Sequence, residues 1–147
     1  MKVTMMLCDS AQAVNGKLYI LGGGWNLTGP EPTPSALALQ IDVPWDEANR
    51  QHRLRLTLVT DDGQPVQIAA PNGEQPVTID AGFEVGRPVG HRAGTPLSVV
   101  MGINIGPLPL RPNGRYEWRC FIDDETDDDW RLGFSTRPAA PAHQGVA

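Results

Sequence analysis

A chain of 147 residues with 40% hydrophobic content has the size of one domain and buries roughly two thirds of its unfolded surface on folding, so its core needs no metal or disulfide staple. Its 16 glycines and 14 prolines exclude an architecture of long helices and favour many short elements joined by turns. A net charge of −5 and a pI near 5.0 argue against nucleic acid as a partner, because phosphate backbones are held by Lys and Arg.

The chain opens with two extended apolar segments, 3–14 and 17–25, joined by Asn15-Gly16. Both central residues of a type I′ turn need φ > 0, which Asn and Gly tolerate best, so the spacing predicts a β-hairpin. Lys2 before an apolar run resembles an export signal, but the run is too short and Asp9 and Ser10 interrupt it. No segment reaches the roughly 20 apolar residues of a membrane span, and a cytoplasmic location is expected. Gly22-Gly23-Gly24 has neither the following Lys-Ser/Thr nor the helix of a phosphate loop. A bulge or close backbone approach that turns Trp25 into the core is the expected role.

Residues 29–34 carry three prolines and read as a surface crossover. The stretch 36–43 alternates strictly, with Leu37, Leu39, Ile41 and Val43 on one face, and is expected to be a half-buried strand. Residues 44–50 suit one short helical turn, with Asp46 and Glu47 in its first turn. Strands follow at 52–60, with Leu54, Leu56 and Leu58 inward, at 66–69, and at 77–85, where Gly82 is expected to mark a bulge. Residues 86–94 form a loop, and 97–105 resumes the alternation. A last pair, 116–122 and 130–135, flanks the acidic run 123–129.

About eight or nine short strands separated by turn signals predict an all-β fold, a two-sheet antiparallel sandwich. Asn113-Gly114-Arg115-Tyr116 resembles the tyrosine corner of immunoglobulin-like sandwiches, although Pro112 replaces the usual acidic residue and Trp118 stands where antibody domains have their second cysteine. One domain is expected over 1–136, followed by a flexible tail at 137–147.

Chemistry-bearing residues are sparse. Asp123, Asp124, Asp127, Asp128 and Asp129 offer the clustered carboxylates that calcium takes, but without the glycine and terminal glutamate of an EF-hand. A solvated hairpin loop is the preferred reading, and no cofactor is expected beyond that candidate calcium. His52, His91 and His143 have no metal-ligand spacing and are expected to be isolated surface groups. Ser10 and Ser98 lack a nucleophile-elbow setting, and Cys8 and Cys120 are expected to be reduced core residues. Arg87, His91 and Arg92 form a small basic cluster and Arg53 with Arg55 a basic strand face; either suits an anionic partner or pairing with acidic side chains.

The segments 6–11 and 15–25 resemble the opening hairpin of an uncharacterised family of small bacterial β-sandwich proteins, and Gly114-Arg115-Tyr116-Glu117-Trp118 with Phe121-Ile122-Asp123 is similar to that family's late strand. The resemblance runs to about Ser135 and implies a bacterial source, in keeping with two lysines against ten arginines. It implies no catalytic residues. The expectation is therefore a non-catalytic module that binds another protein or a second copy through a sheet edge or the loops 86–94 and 123–129. A calcium-dependent carbohydrate- or lipid-binding domain and an enzyme whose site shows no linear motif are the alternatives.

Overall fold

A computed structural model describes residues 1–140, so the end of the expected tail, including His143, lies outside the described residues. The period-2 stretches become strands. In chain order these are β1 (Lys2–Cys8), β2 (Ser10–Val14), β3 (Lys17–Leu21), β4 (Leu27–Thr28), β5 (Ser35–Val43) and β6 (His52–Thr60). After them come β7 (Gln67–Ala70), β8 (Gly73–Pro76), β9 (Thr78–Phe83), β10 (Leu97–Ile105), β11 (Arg115–Ile122) and β12 (Arg131–Thr136). A single 3-10 turn, Trp45–Glu47, joins β5 to β6. The fold is all-β, and no helix among the described residues is long and apolar enough to cross a membrane.

Among the described residues four sheets result, none of them closed: β1-β5-β10, β4-β12-β11-β6-β9, and the two-stranded ribbons β2-β3 and β7-β8. Every pairing is antiparallel except that of β4, which runs parallel to β12. The inward-phase residues of both larger sheets meet in one apolar cluster. Leu37, Leu39 and Ile41 of β5 pack there with Leu54, Leu56 and Leu58 of β6 and with Trp118 and Cys120 of β11. Burying each such aliphatic side chain contributes about 1.5–3 kcal/mol.

Several expectations need correction. The first hairpin is real, with Asn15 and Gly16 both at positive φ, but only residues 10–21 form it. Residues 2–8 pair with β5 instead. The division falls at Asp9, whose N–H faces two carbonyls, those of Leu21 (3.0 Å) and Gly22 (3.1 Å), the irregularity of a β-bulge. Glycine is required there: a Cβ on Gly22 would collide with the Asp9 carboxylate and one on Gly23 with Met6 and Ile20. Beyond the bulge Gly24 N–H donates to Leu7 (2.8 Å), and Trp25 packs edge-on against Phe134 in the core.

The bend folds the β2-β3 ribbon onto the outer face of the three-stranded sheet. Ala11 lies so close to Gly102 that a Cβ there would stand 2.7 Å from the Ala11 carbonyl oxygen. Asn104 fixes the approach, its side chain donating to Ala11 O (2.8 Å) and accepting from Ala11 N–H (3.2 Å). Ala36 and Ala38, on the face expected to meet water, are therefore buried with Cys8 and Ala11. Gly82 is no bulge, because β6 and β9 pair without a skipped residue from His52↔Phe83 to Thr57↔Thr78. The expected strand 77–85 is shortened to β9, and an unexpected strand, β8, precedes it; the two are separated at Val77, whose N–H turns to Val66 O (3.0 Å).

Candidate functional site

Two regions compete as the site: the charged loops at one end of the five-stranded sheet, and the ribbon. At the charged end, Asp123 and Asp124 form a two-residue turn at positive φ between Ile122 and Glu125, which exchange backbone hydrogen bonds at 2.8 and 2.9 Å. Asp tolerates this conformation better than most side chains. The Asp123 carboxylate then turns inward, accepting from Arg53 N–H (2.9 Å) and from His52 Nδ1 (2.7 Å). The opposite ring nitrogen, Nε2, donates to Glu47 O at 2.8 Å.

His52 is thus not a surface histidine but is 1% exposed, stacked on Phe83 with ring centroids 5.2 Å apart. Both groups facing its nitrogens are acceptors, so only the doubly protonated ring satisfies both. Burial opposes the charge, yet the hydrogen bonds to Asp123 and Glu47 and their charges outweigh it and hold the His52 pKa above its ordinary value. The same hydrogen bond to His52, aided by Arg53 N–H, holds Asp123 below its ordinary value against a smaller opposing effect of burial. The signal was in the chain: His52 shares the phase of Leu54, Leu56 and Leu58.

The other predicted residues divide in the same way. Arg87 is pinned, donating twice to Trp45 O (2.6 and 3.2 Å) with its guanidinium 4.7 Å from the Trp45 ring centre. That contact ties the loop 86–94 to the 3-10 turn. His91 and Arg92 are exposed on the same loop. Asp127 caps the next turn, accepting from Asp129 N–H (2.9 Å), and Asp128 reaches Arg131 at 3.3 Å. Asp124, Asp127, Asp128 and Asp129 are exposed, and no three His, Cys, Asp or Glu side chains among the described residues gather as a metal would need. Of the five aspartates of the calcium expectation, Asp123 is thus already taken up by His52 and Arg53 N–H.

Cys8 and Cys120 are buried and free. Burial pushes the Cys120 thiol up to about 12, and burial with the Asp9 charge raises Cys8. Such thiols are poor nucleophiles.

The ribbon is the reverse case. Val14, Tyr19, Ile20 and Leu21 are exposed, with Tyr19 at 57% and Leu21 at 70%; elsewhere among the described residues only Met6, Leu27 and Val89 are comparable large hydrophobics. Val14, Tyr19 and Leu21 share the face turned away from the sheet. Tight-turn register makes Val14↔Lys17 and Gln12↔Tyr19 the hydrogen-bonded pairs, which leaves the N–H and C=O of Leu18 and Ile20 on the outer edge. Among the described residues nothing pairs with that edge. The apolar content of 17–21 was visible in the sequence; its exposure was not, because it depends on the bulge.

The model of a family of unknown function (DUF6941) matches residues 3–134. The chain belongs to this family. The DUF6941 match takes in both the ribbon and the His52–Asp123 contact. No curated protein and no solved structure matches the chain.

Proposed function

We propose that this DUF6941 protein is a non-catalytic interaction module, which captures an extended segment of another protein along the outer edge of β3. The observation that carries the reading is the ribbon itself: an unpaired edge with an exposed apolar face, the feature that soluble proteins usually blunt with charge or proline. Lys17 is the single charge on β3. A partner strand with apolar residues at alternate positions and a carboxylate opposite Lys17 complements it, backbone hydrogen bonds supplying affinity and side chains selectivity.

The module is an immunoglobulin-like, two-sheet sandwich formed by residues 1–136. Supporting this are the shared core of the two larger sheets and the Tyr116 hydroxyl, which accepts from Arg111 N–H at 3.0 Å as a tyrosine corner does. Gly114 leaves room for that ring, since a Cβ there would stand 2.9 Å from it. A bacterial cytoplasm suits the two free, buried cysteines.

Selection of random linear peptides on the immobilised chain tests the proposal. Enriched peptides are expected to alternate apolar residues, to shift the amide resonances of Lys17–Leu21, and to lose binding on Leu21→Lys. Enrichment that maps elsewhere, or none, overturns it. A concentration-dependent dimer broken by Leu21→Lys assigns the edge to a second copy and likewise overturns capture of a different protein.

A further inference from the structure

The outer face of the five-stranded sheet holds a different arrangement. Arg119 and Arg131 stand directly opposite each other on β11 and β12, a like-charge cross-strand pair that destabilises a sheet. Arg115 lies four residues back along β11 on the same face, without an ion-pair partner among the described residues. Glu117, between them, holds Arg119 at 2.7 Å, while Arg131 reaches only the exposed Asp128. Three guanidiniums thus converge on one face of a chain whose net charge is −5.

Between Arg131 and Ser135 the face is interrupted by Gly133. Nothing in the fold demands a glycine there: its φ is ordinary, and a Cβ would meet only Tyr116 O, at 3.7 Å, an ordinary contact. Glycine in a strand interior weakens the strand and often marks a bulge, a tight bend, or a close approach of another backbone or a ligand; β11 and β12 pair through Gly133 without a skipped residue, which removes the bulge. Its missing side chain helps open a hollow of about 480 Å³, lined by Arg115, Arg119 and Arg131 with Glu117 and Asp61.

We propose that this hollow binds a small hydroxylated anion, whose phosphate or carboxylate is held by Arg115, Arg119 and Arg131 and whose hydroxyls donate to Glu117 and Asp61. Guanidiniums hold both anions through paired, charge-assisted hydrogen bonds, and a bound anion relieves the Arg119–Arg131 repulsion. The two carboxylates select against bare polyanions.

Titration calorimetry with glycerol phosphate and, separately, with citrate, at an ionic strength fixed with sodium chloride, tests the site. Saturable one-to-one binding of either is expected, the responding probe showing whether phosphate or carboxylate is the natural group. Gly133→Val projects a branched side chain into the floor of the hollow while improving strand propensity, so it should melt at or above the wild-type temperature and bind at least about tenfold more weakly. Arg115→Gln should weaken binding by about tenfold or more, the worth of a charge-assisted pair. Binding of neither probe, or binding that Gly133→Val leaves intact, overturns the assignment.

Discussion

The charged end of the molecule and the ribbon exchange the roles their sequences suggest. The loops 86–94 and 123–129 carry the Arg and Asp that suit recognition, yet Arg87 and Asp123 are each held by the backbone of a neighbouring segment. His52 and Asp123 join β6, the 3-10 turn and the β11-β12 connection, while Arg87 and the Asn49 N–H to Val85 O bond (2.8 Å) fasten the neighbouring loop. Residues 17–21 look like ordinary strand and stand exposed. The difference teaches that a charged side chain is free for recognition only if the backbone around it has no use for it. An apolar strand is core only if a second layer covers it.

The largest effect should come from the charged end. His52→Ala removes a ring that satisfies two acceptors and stacks on Phe83, and is expected to lower stability by about 3 kcal/mol in urea denaturation. Leu21→Lys should change it by less than about 0.5 kcal/mol. A reversal of that order would break the comparison. Gly102→Ala comes next: the Ala11 backbone cannot yield as a side-chain tip would, so the ribbon must lift from the sheet. A loss of about 1–3 kcal/mol is expected, with faster exchange of the Ala11 and Ala38 amides.

The smallest effect sharpens the comparison through pH. His52, raised above 6.5, stabilises the fold fully below that value, and the gain is lost as pH rises through the folded-state pKa. Asp123, lowered from 3.8, stabilises fully above that value, and the gain is lost as pH falls through its folded-state pKa. The pair therefore contributes most from about pH 4 to 6.5. Asp123 is half exposed, so the wild-type advantage over Asp123→Asn should be only about 1 kcal/mol there, and narrower at pH 9. Melting curves across that range check it; a gap that widens with alkaline pH contradicts the assignment.

Much of the fold was legible because period 2 survives in single strands. Leu37, Leu39, Ile41 and Val43 alternate without needing knowledge of their neighbours, and so do Leu54 to Leu58 and Tyr116 to Ile122. What was hidden depends on contacts distant in sequence. Ala36 and Ala38 are covered only because Gly102 admits Ala11, and β4 has two residues, too few for a pattern. His52 could have been recognised from its phase, but its partner lies 71 positions away. The hollow at Gly133 required the register that sets Arg119 against Arg131.

Amide hydrogen exchange in the free protein tests the central exchange of roles most directly. Leu18 and Ile20 on the outer edge of β3 should exchange at least about 100-fold faster than Tyr19, which pairs with Gln12, whereas Arg53, Asp123 and Asn49 at the charged end should be protected. Protected Leu18 and Ile20 beside freely exchanging Arg53 and Asp123 would contradict the account.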